Sequence, residues 1–245
     1  GLIPGFLRRG VLGPLSHVWP QMDWAPRPLR ARATLASLSK SGAEGYAEAV
    51  GVTGQAQRSR LFNDAAHHAL GDHVAETRYW KAMAEAPARE PLDRAQYADL
   101  QIWLPGDILT KTDRMSMAVS LEAREPLLDH RLIEFGGRLP HRERLRGTSG
   151  KWLMKRTMER YLPDDILYRQ KQGFVTPLAE WFRGPLASEA RAIASSELLT
   201  GNGLFARKAL ARLADEHISG RADHGRVLWQ LLMLERSLRH LKPSA

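Results

Sequence analysis

The chain has 245 residues, carries 36 Lys and Arg against 27 Asp and Glu for a net charge of +9, and contains no cysteine. A disulfide framework, a thiolate zinc site and a cysteine nucleophile are therefore excluded within this chain. No run reaches the ~18 consecutive apolar residues a membrane span needs, and the apolar start from Gly1 to Leu15 is broken by Pro4, Arg8, Arg9 and Pro14, without the order of a signal peptide. Hydrophobic residues make up 43%, enough for a core in one large domain or two small ones. The basic balance favours anionic partners. Arg is spread along the whole chain, however, and no aromatic-interleaved basic stripe occurs, so no nucleic-acid surface is expected. The chain begins at Gly1 and not at Met, which reads as a processed protein or a piece of a longer one. The lack of cysteine is compatible with a cytoplasmic setting.

Helix signals dominate and strand signals are scarce: there is no clean alternation and no Asn-Gly turn. The stretch from Ala25 to Glu90, with its scattered Pro and Gly, reads as helices joined by loops. Asp93 before Arg94, Ala95 and Gln96 has a capping-box pattern, with Tyr97, Leu100 and Leu104 following at helical spacing. Asp107 is placed to cap a next helix carrying Ile108, Leu109, Thr112, Met115, Met117 and Val119. Ser149 or Gly150 opens another through Trp152, Leu153, Thr157 and Tyr161, stopped by Pro163. Thr176-Pro177 reads as a hydroxyl cap with Pro at the first helical position, and Gly184-Pro185 as the end of that helix. Leu210, Leu213 and Ile218 lie on a helix ended by Gly220. Val227, Leu228, Leu231, Leu232, Leu234, Leu238 and Leu241 form a last amphipathic helix.

Neither a G-x-x-x-x-G-K-[ST] loop nor a G-x-G-x-x-G turn occurs, and Ser41-Gly42-Ala43-Glu44-Gly45 matches no phosphate loop. His67, His68 and His73 read as surface residues and not as a metal site. What stands out is a polar block from Leu104 to Gly184. Asp113 and Arg114 sit among apolar helix residues. Glu122, Arg124, Glu125, Asp129, His130 and Arg131 crowd around Pro126-Leu127-Leu128. Charges wrapped around apolar residues suggest buried ion pairs or an anion site, and for Asp113, Arg114, Glu122, Arg124 and Asp129 a structural salt-bridge network is the favoured reading. Lys151 differs: it follows Gly150 at a helix N-terminus, where free N–H groups attract phosphate. Lys171 lies in a loop before Gly173, which permits close backbone approach to a ligand. Two ammonium groups converging on a polyphosphate would offset charge building on a leaving group.

Six segments in order over residues 104–186 resemble the C-terminal part of the asparagine synthetase family. They are Leu104-Pro105-Gly106-Asp107-Ile108-Leu109-Thr110-Lys111-Thr112-Asp113-Arg114-Met115-Ser116-Met117, Leu121-Glu122-Ala123-Arg124-Glu125-Pro126-Leu127-Leu128-Asp129-His130, Gly150-Lys151-Trp152-Leu153, Leu162-Pro163-Asp164-Asp165-Ile166-Leu167, Arg169-Gln170-Lys171-Gln172-Gly173-Phe174 and Trp181-Phe182-Arg183-Gly184-Pro185-Leu186. Asp23-Trp24-Ala25-Pro26-Arg27 and Asp215-Glu216-His217-Ile218-Ser219-Gly220-Arg221 are similar to the branch associated with exosortase and exopolysaccharide gene clusters.

The resemblance implies a mainly α chain, the helical C-terminal portion of an α/β adenine-nucleotide-hydrolase-like synthetase domain whose nucleotide-binding sheet lies upstream. One domain is expected over 1–245, with a less regular lead-in (1–90), a motif-bearing core (91–186) and terminal helices (187–245). The implied reaction is ATP-dependent adenylation of a carboxylate, then attack by glutamine-derived ammonia to form an amide. Lys151 and Lys171 match two family lysines facing the ATP phosphates, with Gly173 beside them. ATP and Mg2+ are implied, the metal ligands being expected outside this chain. The implied partners are the glutaminase and pyrophosphate-loop region of the parent protein, a small-molecule carboxylate such as aspartate or a saccharide or peptide carboxylate, and a second copy in a homodimer. The family's nucleophilic Cys, Ser-Gly-Gly-x-Asp-Ser loop and Gly-Glu-Gly-x-Asp-Glu stretch are absent, so the chain is expected to be inactive alone. Glu125 stands where many relatives carry Val and Gln170 where many carry Pro. The first puts strict aspartate specificity in doubt, and the second bears on loop stiffness. The alternative is a stand-alone basic helical module that binds nucleic acid or a protein.

Overall fold

A computed structural model describes residues 7–18, 35, 39–40, 42–170, 173, 176–201 and 203–241. A π-helical stretch, Arg8–Leu12, leads into α1 (Gly13–Val18). Then come α2 (Gly42–Val50), α3 (Gln55–Leu61), α4 (Asp64–Leu70), α5 (Thr77–Glu85) and α6 (Pro91–Ala98). A second π-helical stretch (Asp99–Leu109) runs into α7 (Thr110–Met117), followed by a 3-10 turn (Pro126–Leu128), α8 (His130–Arg138) and α9 (His141–Arg144). The short strands β1 (Leu145–Arg146) and β2 (Ser149–Gly150) precede α10 (Trp152–Met158) and α11 (Asp164–Leu167). The chain continues with α12 (Leu178–Arg183), α13 (Ala187–Ser195), α14 (Glu197–Thr200), α15 (Arg207–Ile218) and α16 (Gly225–Leu241). The fold is mainly helical, as the sequence predicts, with one two-stranded antiparallel sheet among the described residues. No helix among them is long and apolar enough to cross a membrane.

The chain divides into two units, residues 1–80 with 176–245, and residues 81–175. The first holds the main core. In α16, Val227, Leu228, Leu231, Leu232 and Glu235 are buried on one stripe, the spacing of an amphipathic helix. The four apolar ones pack with Phe182 of α12, Ala190 and Ile193 of α13, Leu199 of α14, and Leu210, Leu213 and Ala214 of α15. Leu61 of α3 joins this core, and Phe62 forms an antiparallel bridge with Phe205. Backbone bonds from Ala206 N to Leu61 O (2.8 Å) and from Asn63 N to Leu204 O (3.0 Å) fix that bridge. Glycine is required at Gly225. A Cβ there would stand 3.0 Å from Ala179 N and 3.1 Å from Leu178 C, backbone atoms of α12 that cannot swing aside.

The joint of α12, α15 and α16 is a buried imidazole. His217 is 0% exposed. Its Nδ1 accepts the backbone N–H of His224 at 2.9 Å, which leaves the ring proton on Nε2 to be donated to Ala179 O at 3.2 Å. Phe182 meets the ring edge-on at 6.3 Å, and Arg183 Nε donates to His217 O at 3.1 Å. Burial pushes the His217 pKa down, aided by Arg183 and His224. The bond to Ala179 and the Asp223 carboxylate pull the other way without reversing it.

The second unit is built differently. Its buried apolar residues are Met83, Ala86, Ala95 and Ala98, and no described residue from 99 to 170 is buried. Several local expectations change here. Asp93 is not a cap: Glu90 takes the cap position and Pro91 the first turn, while Asp93 pairs with Arg144, which also bonds Gln96 at 2.6 Å. Asp107 does not open a helix but lies inside the π-helical stretch. Helix α10 ends at Met158, short of Tyr161 and Pro163. In the first unit, α12 starts one residue late, with Pro177 in the cap position and no side-chain cap from Thr176. The ends at Gly184 and Gly220, and the course of α15 and α16, follow the sequence reading.

Gly225→Ala is expected to destabilise the protein by about 1–3 kcal/mol, the usual cost of overpacking, and so to lower the thermal midpoint by about 2–4 °C for each kcal/mol. A midpoint unchanged from wild type would show that α12 yields without cost. His217 gives a pH signature. The folded state keeps the ring neutral, whereas the unfolded chain takes up a proton near the ordinary value of about 6.5. Its contribution is therefore fully present above about pH 6.5 and is lost as pH falls below it. Urea unfolding between about pH 5 and 7.5 should show this fall in wild type and a flatter dependence in His217→Gln, which starts from lower stability. Equal slopes would refute the assignment.

Candidate functional site

The motif-bearing segment starts where α6 winds into the π-helical stretch Asp99–Leu109. Pro105 lies inside it. Proline has no N–H and crowds the carbonyl one turn back, and a wider winding relieves both. Thr110 Oγ1 donates to Pro105 O at 2.7 Å and so occupies a carbonyl at the edge of the irregularity. π-Helical insertions concentrate at functional sites. Here the widened turn borders a shallow cleft of about 420 Å3 lined by Pro105, Leu109, Thr110, Thr112, Asp113, Ala123 and Glu125.

Helix α7 closes with a left-handed residue, Ser120 (φ 60°). Ser120 N bonds Met117 O at 3.0 Å and Leu121 N bonds Ser116 O at 3.0 Å, the paired bonds of a Schellman end. The reversal returns Ala123 and Glu125 to the cleft beside Asp113. Of the charged candidates, then, Asp113 lines the cleft, while Arg114, Glu122, Arg124 and Asp129 do not. The expectation of buried ion pairs is overturned. Glu122 and Arg124 pair with each other at 2.9 Å on an exposed surface. Asp129 caps α8 by accepting Arg131 N at 2.9 Å and pairs with the same residue's guanidinium, which holds its carboxyl below the ordinary range. These are local pairs two positions apart, and solvent keeps their contribution small.

Lys151 stands at the head of α10, as the sequence predicts, but in a left-handed conformation (φ 58°, ψ 34°). A side chain there is disfavoured unless the surroundings impose it. On one side the β1–β2 hairpin, turning at Gly147 (φ 59°), pairs Leu145 with Gly150 and Arg146 with Ser149. On the other, Lys151 O accepts Lys155 N at 2.9 Å. The Arg146 guanidinium stacks 4.3 Å from the Trp152 ring centre and ties hairpin to helix. The Lys151 side chain is exposed, without an ion pair among the described residues.

Lys171 lies outside the described residues; Gly173 is exposed. The approach to this loop is tied down. Tyr168 donates to the Glu159 carboxylate, which also pairs with Arg156 at 2.5 Å, and the two bonds hold the Glu159 pKa below the ordinary value. Lys155 Nζ lies 5.6 Å from the Tyr168 ring centre. Sequence reasoning missed Thr110, Thr112 and the Arg146–Trp152 stack as supporting parts. The available signal was a Pro five residues before a hydroxyl, and a basic-Gly-Thr turn before an aromatic. No group of three or more His, Asp or Glu able to hold a metal ion occurs among the described residues.

Comparison with known proteins gives this arrangement a context. The family described as asparagine synthase matches residues 12–239. A Mycobacterium tuberculosis protein provisionally named as a glutamine-hydrolysing asparagine synthetase is 38% identical over 151 residues, 61% of this chain and 23% of that protein. Glutamine-hydrolysing asparagine synthetase 1 of Bacillus subtilis is 28% identical over 149 residues, again 61% of this chain and 23% of the relative. An amidase of Penicillium rubens is 27% identical over 114 residues, 44% of this chain and 17% of the relative. The aligned stretch thus spans under a quarter of each of these relatives. No solved structure gives a significant match. With the family match extending over most of its length, the chain belongs to the asparagine synthase family.

Proposed function

We propose that this chain is the helical part of a synthetase domain in a glutamine-dependent, ATP-dependent amidotransferase, and that it walls the ATP and acceptor pocket. The observation that carries this reading is the open face of the motif-bearing unit. Met115 (68% exposed), Val119 (75%), Leu121 (62%) and Leu127 (64%) stand in solvent, and Leu132 and Phe135 of α8 are also exposed. Large apolar side chains exposed in this number favour a partner surface over open solvent. Its occupant in this reading is the nucleotide-binding sheet of the synthetase, supplied with the glutaminase region by the parent protein.

In that setting the acceptor carboxylate attacks the α-phosphorus of ATP, the bond to the β-phosphate oxygen breaks and pyrophosphate leaves. Ammonia then attacks the activated acyl carbon, the amide forms, AMP leaves and nitrogen loses a proton. Lys151 and Lys171 donate hydrogen bonds to phosphate oxygens as negative charge grows on the leaving group. The left-handed backbone at Lys151 presets the origin of its side chain, so less ordering remains for binding. ATP is the nucleotide this reading requires. Mg2+ would be held by carboxylates of the nucleotide-binding part, in keeping with the expectation from the family. Asp113 and Glu125 line the cleft beside the π-helical stretch and set a negative border for the acceptor. That supports a neutral or basic group around the reacting carboxylate, as in a saccharide or peptide acid, alongside aspartate.

The test is pyrophosphate release by a polypeptide that joins this chain to the nucleotide-binding part of the family. Lys151→Ala and Lys171→Ala should each lower turnover roughly a hundred- to a thousandfold, the loss of one preorganised donor, with stability within about 0.5 kcal/mol of wild type. Lys171→Arg should recover only part of the rate, since a forked guanidinium replaces a compact ammonium. Turnover near wild type in both alanine variants would overturn the assignment of the lysines. Release of pyrophosphate by the 245-residue chain alone would overturn its role as one wall of a shared pocket.

A further inference from the structure

A second cleft lies in the first unit, among α3, α15, the loop after α15 and the start of α16. It encloses about 990 Å3, within the range of small-ligand sites. Val52, Ala56, Leu61, Ala209, Leu213 and Val227 supply its apolar lining. Its polar lining is Gln57, Arg60, Lys208, Arg212, Glu216, Asp223, His224 and Arg226, four cations against two carboxylates.

Both carboxylates are already committed. Glu216 accepts from Arg212 Nε at 2.7 Å and meets His224 Nε2 at 3.1 Å. These partners hold its carboxyl below the ordinary range. Asp223 accepts Gly225 N at 2.9 Å at the start of α16. The other ring nitrogen of His224 contacts Gln57 Nε2 at 3.4 Å. Arg60, Lys208 and Arg226 remain, each exposed and each without an ion pair or side-chain hydrogen bond among the described residues. They come from three helices. Lys208 and Arg226 lie in first turns, where a cation is opposed by the helix dipole and contributes nothing to helix stability.

We infer that this cleft binds a small phosphoryl-bearing anion, its charge met by Arg60, Lys208 and Arg226 and any organic part resting on the apolar wall. Three free cations match the two to three charges of a phosphate monoester or pyrophosphate better than the single charge of a carboxylate. Arginine offers the planar fork that suits phosphate oxygens, and lysine adds a point charge. The ligand is either an organic phosphate ester or inorganic polyphosphate, and the two differ in their use of the apolar lining. This inference is independent of the reading of the motif block.

The test is calorimetric titration of the 245-residue chain with AMP, pyrophosphate and inorganic phosphate. At low salt AMP or pyrophosphate is expected to bind with a Kd below about 1 mM and to weaken as salt screens the exposed cations. Tighter binding of AMP identifies an organic ester, and tighter binding of pyrophosphate an inorganic polyphosphate. Either order supports the site. Arg226→Ala and Lys208→Ala should each weaken binding about tenfold, the loss of one charge-assisted bond, and the triple variant with Arg60→Ala should abolish it. Arg191→Ala removes the same charge from an exposed position on α13 outside the cleft and should change affinity less than twofold. Circular dichroism of each variant guards against loss of fold. No binding by wild type at several millimolar ligand, or equal weakening by Arg191→Ala and Arg226→Ala, would overturn the proposal. The second outcome would mean that the net charge of +9 attracts anions without a site.

Discussion

One uncharged imidazole holds the better-packed half of this protein together. The leucine stripe of α16 supplies burial, but apolar contact is non-directional and several helix arrangements would satisfy it. His217 adds direction. It presents one donor and one acceptor to two backbone groups, on α12 and ahead of α16, in a site closed to water. Each of those groups would cost about 1–3 kcal/mol if left unpaired there. Where the carbonyl of Ala179 meets the ring, the α12 backbone also comes close to Gly225.

The motif-bearing unit obeys another constraint. From residue 99 to 170 no described side chain is buried, yet the backbone is highly specified. A π-helical stretch accommodates Pro105, Ser120 makes a left-handed helix end, and Lys151 sits in a conformation that most side chains avoid. Conformational cost is accepted where shape matters and core packing cannot supply it. Exposed methionines and leucines beside these strained points give the unit the composition of half an interface.

How far the sequence could be read depended on which force decided each feature. The terminal helices were legible because burial decided them: leucines at helical spacing and Gly220 beyond the last turn leave few alternatives. Asp93 was misread because its carboxylate had a partner 51 positions away, Arg144, while Pro91 had already set the helix start. The π-helical winding was hidden because the apolar spacing from Leu100 to Leu109 suits α and π geometry almost equally. Burial around Asp113, Glu122 and Asp129 was overestimated because apolar neighbours in a sequence do not say whether the surface that covers them belongs to the same stretch of chain. The position of Lys151 at the head of α10 was legible from Gly150 beside it. Its left-handed backbone was not, since nothing in a lysine advertises it. The cleft built from Arg60, Lys208 and Arg226 lay beyond sequence reasoning, as its three cations come from segments far apart in the chain.

The bridge between Phe62 and Phe205 has a consequence for synthesis. The two positions are 143 residues apart (205 − 62), and Leu61 has no core to join until α15 exists. At about 5–20 residues per second on the ribosome, α3 waits roughly 7–30 s for its partners. Over that interval the apolar side of α3 stands without its core, the kind of transient exposure that favours aggregation of a nascent chain.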